Sequence, residues 1–253
     1  MAIFVLGDPH LSFSAQKPMD IFGGRWENHP IKIKEAWLEK VKAEDTVILA
    51  GDLSWAMSLK DAEPDLQFFH DLPGKKILLK GNHDYWWETA AKMNRFFQER
   101  GWDDFEILHN NSISCEKVTL CGTRGWEPES TGEQDRKILE REVQRLECSL
   151  KSAPTGRERV VFFHYPPFGG DRSPFEEVLQ RYGVRRCYYG HIHGKAAQET
   201  KPIERSGIVY TLISADALNF CPLLIASQPE NKQNHQKRAG FWAKLLSYFK
   251  GKC

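Results

Sequence analysis

The chain has 253 residues, of which 41% are apolar, and a formal net charge of +1. This length and apolar content are sufficient for one large domain with a sizeable core. Because the net charge is close to zero, the composition excludes a general electrostatic attraction to nucleic acid, and we expect no stable nucleic-acid partner.

The cysteines and the apolar runs indicate the compartment. Six cysteines occur without a Cys-x-x-Cys pair or a regular spacing, which is typical of free thiols in a reducing compartment. No apolar run approaches the roughly 18–20 residues of a membrane span. The first residues also lack the basic region of a signal peptide. The sequence therefore predicts a cytoplasmic protein.

Apolar runs that end directly at Gly, Asp, Asn or His recur along the chain. The runs are 3–6, 46–50, 77–79, 160–163 and 187–189, and the polar residues that follow them are Asp8, His10, Asp52, Asn82, His83, Asp84, His164, His191 and His193. Such runs are typical of buried strands in α/β sheets, which present their chemistry at the carboxyl ends of strands. A turn or a helix cap explains any one of these residues alone. Five such strand ends together predict a functional site.

Taken in order, these residues carry a family resemblance. The blocks Asp8-x-His10, Gly51-Asp52, Gly81-Asn82-His83-Asp84, His164 and Gly190-His191-x-His193 resemble those of the calcineurin-like metallophosphoesterases, over residues 3–194. The resemblance implies an α/β, four-layer metallophosphoesterase fold, in which a β-sandwich of two mixed sheets is flanked by helices. We expect this phosphoesterase domain to occupy residues 1–227.

The resemblance also implies a site for two metal ions. One ion would be held by Asp8, His10, Asp52 and His193, and the other by Asp52, Asn82, His164 and His191, with Asp52 as the bridge. His83 would face the substrate and Asp84 would support it from behind. These two are therefore the predicted catalytic residues.

The mixture of ligand types has a chemical meaning of its own. Carboxylates, an amide and imidazoles together suit Mn²⁺, Fe or Zn²⁺, whereas Mg²⁺ and Ca²⁺ prefer oxygen ligands. We expect two divalent or trivalent ions, Mn²⁺ or Fe, with Zn²⁺ as an alternative. Two ions about 3.5–4 Å apart lower the pKa of a shared water and align a phosphoryl group for attack by the bridging hydroxide. His83, with an ordinary pKa of about 6.5, would protonate the leaving oxygen or stabilise charge as a cation.

Other segments supply candidates for contact with the substrate. Residues 11–30 form a long polar loop after the first block, and we interpret it as a structureless lid that carries Arg25, Trp26 and His29 over the metals. Plain loop packing is the alternative. Arg124 follows a later predicted strand, where its guanidinium could fork onto a phosphate oxygen or remain an ordinary surface group. Residues 85–87, Tyr-Trp-Trp, either stack on a nucleobase or belong to the core.

Apolar residues at helical spacing predict the outer helices. The stripes are Ile33, Trp37 and Val41, then Leu59, Ala62, Leu66 and Phe69, and finally Leu139, Val143, Leu146 and Leu150. The last stripe predicts a helix over residues 133–152, packed on the sheet as an outer layer.

Residues 228–253 differ from the rest of the chain in charge. They contain six basic residues and one acidic residue, and the apolar side chains among them repeat at helical spacing. A basic amphipathic helix of this kind suits weak contact with an anionic membrane surface. A helix docked on the domain, or a partly disordered tail, is the alternative.

The combined prediction is a metal-dependent phosphohydrolase that acts on a phosphodiester or a phosphomonoester through a dinuclear metal site and a metal-bridging hydroxide. The ligand set does not choose between the two esters, and the sequence makes no prediction of oligomeric state. One alternative is a hydrolase of nucleotide or lipid-precursor pyrophosphates. Another, from a different class, is a metal-binding scaffold without catalysis. The sequence favours the enzyme, because every expected ligand type is present.

Overall fold

The computed structural model describes residues 1–15, 17–127, 132–169 and 173–227. Its first sheet contains the parallel strands β1 (Ala2–Leu6), β2 (Thr46–Ala50), β3 (Lys75–Leu79) and β4 (Phe105–Ile107), with β11 (Leu223–Ser227) antiparallel beside β1. The first three of these strands are buried along almost their whole length. Burial on both faces explains why they read as continuous apolar runs.

The second sheet has six strands in the described part of the chain. They are β5 (Ser112–Cys115), β6 (Val118–Thr123), β7 (Glu158–Phe163), β8 (Arg186–Tyr189), β9 (Ile203–Arg205) and β10 (Ile208–Leu212). The order across the sheet is β5-β6-β7-β8-β10-β9, and only the two edge strands are antiparallel to their neighbours. Both sheets are therefore mixed, as predicted.

Helices cover the outer faces of the sandwich. They are α1 (His29–Lys40), α2 (Glu63–His70), α3 (Ala90–Glu99), α4 (Glu133–Ser152), α5 (Pro174–Arg181) and α6 (Gly194–Glu199). The first three pack on the first sheet and the last three on the second. The helix predicted over residues 133–152 is confirmed, whereas α2 begins only at Glu63, so that Leu59 and Ala62 lie before it.

A third apolar cluster fills the space between the two sheets. Ile48 and Ile77 of the first sheet meet Val160 and Phe162 of the second, and all four are buried. The order helix, sheet, sheet, helix gives four layers around this core. The predicted α/β architecture, a sandwich of two mixed sheets flanked by helices, is confirmed.

The segment predicted as a structureless lid is in fact compact. It contains the short 3₁₀ turns Met19–Phe22 and Gly24–Trp26, and α1 begins within it at His29. Met19 and Trp26 are buried, so the prediction that the segment is structureless was wrong. Apolar side chains at these positions pack the segment onto the domain.

The predicted basic tail, residues 228–253, lies outside the described residues. Within the described ranges, the helices are too short or too polar to cross a bilayer.

Candidate metal centre

Backbone hydrogen bonds join the strand-end loops at one edge of the sandwich. Asp8 N–H, after β1, donates to Gly51 O, after β2, at 3.0 Å. In the second sheet, Gly190 N–H donates to His164 O at 3.0 Å, which joins the loop after β8 to the end of β7. The loops that carry the predicted ligands are thus fixed by the main chain.

Several predicted ligands have a left-handed backbone conformation. The φ angles are 54° at Asp8, 47° at His10, 50° at Asp52 and 71° at His191. Residues other than glycine rarely adopt such values. A strained backbone conformation of this kind is kept only where the surrounding structure holds it in place, and such conformations are concentrated at functional sites.

Glycines make room for the two buried carboxylates. A Cβ atom on Gly81 would collide with the Asp52 carboxylate, and one on Gly190 would collide with the Asp8 carboxylate. Glycine is required at position 81 because a side chain from the neighbouring loop approaches the backbone closely there.

Asp8, His10 and His193 form a first group that could hold an ion. His10 Nε2 and His193 Nε2 lie 3.2 Å apart, and His193 Nε2 lies 3.9 Å from Asp8 Oδ1. Two nitrogens that each lie about 2.0–2.1 Å from one ion are separated by about 2.9–3.4 Å in octahedral or tetrahedral geometry. The spacing of the two imidazoles therefore fits a shared ion.

Asp8, Asp52 and His164 form a second group. His164 Nδ1 lies 3.4 Å from Asp8 Oδ1, and His164 Nε2 lies 3.5 Å from Asp52 Oδ2. Asn82 Oδ1 lies 2.5 Å from the same Nε2, which adds the predicted amide oxygen to this group.

The two groups share the Asp8 carboxylate. Asp52 also lies near a histidine of each group, since its Oδ2 is 3.7 Å from His10 Nε2 and 3.5 Å from His164 Nε2. Both carboxylates therefore lie between the histidines of the two groups, and the bridging role of Asp52 stays a prediction. His191 lies outside both groups: its N–H donates to Asp8, and its ring centroid is 5.2 Å from that of His164.

The electrostatics of these residues fit bound cations. Asp8 and Asp52 have exposures of 0% and 1%, and burial raises the pKa of both carboxyl groups. Burial also lowers the pKa of His10 and His164 far below the usual value, so both imidazoles are neutral and retain a lone pair. Buried carboxylates beside neutral imidazoles are the ligands that divalent transition-metal ions require.

Asp216 orients one of the predicted ligands. Its carboxylate accepts a hydrogen bond from His193 Nδ1 at 2.9 Å and another from Gly194 N–H at 2.8 Å. Burial has the largest single influence and would lower the pKa of His193, but the bond to Asp216 and the negative charges of Asp8 and Asp216 together raise the pKa. An acceptor of this type fixes a histidine with Nε2 towards the ion.

Sequence analysis did not identify Asp216 as a functional residue. The missed signal is its position, four residues after β10, which ends at Leu212 at the same edge of the second sheet.

Asp84 has a different role from the one predicted. Its carboxylate accepts hydrogen bonds from five groups, which are the N–H groups of Gly81, Asp52, Leu53 and Ser54 and the indole N–H of Trp86. These bonds occupy the carboxylate and join the loop after β2 to the loop after β3. Asp84 thus positions the metal ligands of two loops, which corrects its predicted role behind the His83 ring.

His83 is half-buried at the mouth of the site. Its N–H donates to Asp52 Oδ1 at 2.7 Å, and its ring lies 4.3 Å from the Trp55 ring between centroids. Burial, followed by the nearby charge of Lys17, lowers the pKa of His83 to about 4. The imidazole is therefore neutral at neutral pH, so the predicted cationic form is not favoured.

Two predicted substrate contacts are structural. Arg25 Nε donates to Asp216 O at 2.9 Å, and the guanidinium also bonds to the Asn219 side chain. His29 is 6% exposed at the start of α1, and its Nδ1 bonds to Trp26 O at 3.1 Å. Arg25 thus braces the loop that carries Asp216, and His29 is part of the core rather than of a substrate surface.

A cavity of about 320 Å³ opens directly onto the candidate metal centre. Its walls include Met19, Trp26 and Trp55 beside the histidines, so one side of the site is apolar. Lys17 Nζ lies 3.2 Å from the centre of the Trp55 ring and brings a positive charge to this mouth. Neither Lys17 nor Trp55 had a sequence signal that separated it from ordinary loop residues.

Arg124 lies beside the site but faces a different cavity. Its backbone oxygen accepts hydrogen bonds from the N–H groups of His164 and Tyr165 at 3.2 and 2.9 Å, whereas its guanidinium pairs with Glu142 at 3.6 Å. Its side chain is 20% exposed, so it is not an ordinary surface arginine.

The aromatic run after the His83 loop divides between core and surface. Trp86 is 1% exposed and belongs to the core, while Tyr85 is 57% exposed.

Comparisons with solved structures place this architecture among known proteins. A phosphopantetheinyl hydrolase from Mycobacterium tuberculosis is 12% identical, with 90% of this chain and 97% of that chain covered and a TM-score of 0.53. A protein of unknown function from Aquifex aeolicus is 17% identical, with 88% and 95% covered and a TM-score of 0.48. At these identities the likeness concerns the fold alone. No curated protein matches the chain at a significant level.

The sequence itself matches the calcineurin-like phosphoesterase family over residues 1–195. The matched region includes all of the strand-end residues that form the two ligand groups. The activity class of the protein is thus hydrolysis of phosphoric esters, and the chain belongs to the calcineurin-like phosphoesterase family.

Proposed function

We propose that this protein hydrolyses a phosphomonoester or a phosphodiester at a dinuclear metal centre that holds Mn²⁺ or Fe, with Zn²⁺ as an alternative. The observation that carries the proposal is the pair of ligand groups that share Asp8, since it supports two adjacent metal positions. When bound, two such ions supply a water of lowered pKa and polarise the phosphoryl oxygens.

Side chains of the protein bind the ions, orient a ligand and stabilise charge on the substrate. Asp8 and Asp52 hold the ions between the loops, and Asp216 keeps His193 aimed at its ion. His83, as a neutral imidazole, donates an N–H hydrogen bond to the leaving oxygen and stabilises the charge that develops there. Lys17 adds positive charge near the phosphoryl group.

The apolar wall of the mouth supports an organic group on the substrate. Trp26 and Trp55 present aromatic surface beside the ligands, and Trp55 stacks on His10 with 4.9 Å between ring centroids. Such walls bind the carbon-rich part of an ester while polar groups fix its phosphate. We therefore favour an ester with an aromatic or apolar portion over free inorganic polyphosphate.

The cellular setting is also a proposal. The described cysteines are free thiols, which suits a reducing compartment and hence the cytoplasm.

The experiment that tests the proposed function is metal-dependent hydrolysis. Metal-stripped protein would be supplied with Mn²⁺, Fe²⁺, Zn²⁺ or Mg²⁺ and assayed with p-nitrophenyl phosphate and with bis-p-nitrophenyl phosphate. We expect Mn²⁺ or Fe²⁺ to restore turnover, and the preferred ester to distinguish a monoesterase from a diesterase. Asp52→Asn is the inactive comparison, and Asp61→Asn, at an exposed aspartate, is the matched control.

A pyrophosphate substrate remains the second candidate, because a strongly basic cavity adjoins the metal loops. Hydrolysis of a nucleoside diphosphate derivative, with no turnover of either p-nitrophenyl ester, would favour it. No turnover of any ester or pyrophosphate with two bound ions would instead indicate a catalytically silent scaffold.

A further inference from the structure

A second cavity, of about 470 Å³, lies at the same edge of the sandwich as the metal centre. It is formed at the carboxyl ends of β3, β4 and β6 and is closed on one side by α4. Its basic lining residues are Lys80, His109, Arg124, Arg141 and Arg145. One lysine and three arginine side chains therefore line the same cavity.

The acidic residues of the cavity do not neutralise this charge. Glu142 is fully buried, and its carboxylate already accepts hydrogen bonds from Arg145 and from the Thr123 hydroxyl, each at 2.6 Å. The other acid, Glu88, pairs with Lys92 on the surface at 3.1 Å. A net positive charge remains inside the cavity.

Lys80 and one nitrogen of Arg124 lack a partner among the described residues. Among the described residues, Lys80 takes part in none of the ion pairs of this cavity. Arg124 Nε is buried and has no hydrogen-bond acceptor. Burial lowers the pKa of His109, and the positive charge of Arg145 lowers it further, while the nearby Glu142 opposes the shift. A buried N–H group without an acceptor is costly, and an anion would satisfy it.

The walls of this cavity continue directly into the metal centre. Lys80 precedes Asn82 by two residues in the loop after β3. Arg124 O accepts the N–H of His164, so the opposite wall is bonded to another ligand. The loops that line this cavity therefore also carry predicted metal ligands.

We propose that this basic cavity binds a second phosphate or pyrophosphate group of the substrate, whose scissile ester lies at the metal centre. The identity of the bound group as part of the substrate rests on the proposed function. The existence of an anion site is inferred from the residues of the cavity alone. Arginine suits this role because its planar fork matches two phosphate oxygens. Lys80 supplies a third contact from the ligand loop.

The anion site is tested by binding, without turnover. Inorganic pyrophosphate would be titrated by calorimetry into full-length, metal-stripped protein that carries Asp52→Asn, at fixed low salt. Lys80→Gln removes a cation and should weaken binding about tenfold, as expected for one charged hydrogen bond. Glu142→Gln removes the buried acid and should tighten binding. Lys137→Gln, on the exposed face of α4, should change nothing.

Opposite shifts for Lys80→Gln and Glu142→Gln would establish the site, since a merely structural disturbance weakens binding in both. Equal affinities in the parent, Lys80→Gln and Glu142→Gln proteins, or no binding of pyrophosphate at all, would overturn the proposal.

A kinetic comparison then identifies the source of the anion. In metal-loaded protein, Lys80→Gln should raise the KM for adenosine 3′,5′-bisphosphate at least fivefold more than the KM for p-nitrophenyl phosphate. If added phosphate instead alters p-nitrophenyl phosphate turnover and the KM ratio stays constant, the ligand is a free anion and the second phosphate of the substrate is rejected. If no ester is hydrolysed, the proposed function fails while the binding result remains interpretable.

Discussion

The two cavities at the edge of the sandwich are built in opposite ways. The metal centre places buried carboxylates and neutral imidazoles together, with its loops fixed by many hydrogen bonds. The second cavity places cations together and leaves Arg124 Nε without an acceptor. The first arrangement requires a cation and the second an anion. A single edge therefore presents complementary sites for metal ions and for phosphate.

The contrast predicts that substitutions at the metal centre have the largest effects. Asp8→Asn should remove both ions, because Asp8 belongs to both ligand groups. We expect kcat/KM to fall by about a thousandfold, or roughly 4 kcal/mol of transition-state stabilisation. Metal content by mass spectrometry and kinetics on a chromogenic ester would check this. An Asp8→Asn protein that retains two ions would contradict the shared position of this carboxylate.

Asp84 tests how rigidly the loops of the metal centre are held. Asp84→Asn replaces one acceptor oxygen by an amide that faces N–H donors, so some of its bonds to Gly81, Leu53 and Trp86 must break. The free energy of unfolding in urea should fall by roughly 3 kcal/mol. Asp61→Asn, at an exposed position, should change it by less than about 0.5 kcal/mol. Equal stability of the two variants would refute the bracing role.

Gly81 tests the space needed by the Asp52 carboxylate. Gly81→Ala should force this carboxylate away from its position, with a loss of metal affinity and a destabilisation of about 2 kcal/mol. The matched control is Gly169→Ala, because a Cβ atom there meets nothing within 4 Å and the backbone is not left-handed. Metal titration and urea unfolding of both variants would measure the difference. Unchanged metal affinity in Gly81→Ala would show that the close approach is dispensable.

Substitution of Lys80 should have the smallest effect on stability, and it should stabilise the protein rather than destabilise it. Burial, and then the charge of Arg124, lowers the pKa of Lys80, so its charged form is disfavoured in the folded state. The cost of burying the Lys80 charge is fully present at neutral pH. The free energy of unfolding rises as the pH passes from the pKa of Lys80 in the folded state to its pKa in the unfolded state. Lys80→Gln should therefore raise the free energy of unfolding by about 0.5 kcal/mol at neutral pH. A clear destabilisation would mean that the cation has a protein partner.

Most of the fold could be predicted because its signals are local. Apolar runs such as those of β2 and β3 indicate that a strand is buried on both faces. The stripe over residues 133–152 predicted α4 with its observed bounds. The 3₁₀ turns of residues 19–26 were missed, because their packing depends on contacts with distant parts of the chain.

The functional residues were predictable by type and less so by role. Asp84 was recognised as important, but its five donors lie partly on another loop, so its role as a brace was not visible. His29 and Arg25 carry groups suited to phosphate, yet both are engaged within the fold. Asp216 was overlooked, since its bond to His193 joins residues 23 positions apart.

The sequence by itself determined which residue types stand at the carboxyl ends of the strands, because a strand and the residues after it are contiguous. Only the tertiary structure decided that Asp8 belongs to both ligand groups. It also decided that Lys80, Arg124 and Arg145 face one cavity. These residues come from separate elements, and the distances between their side chains depend on how the two sheets and α4 pack.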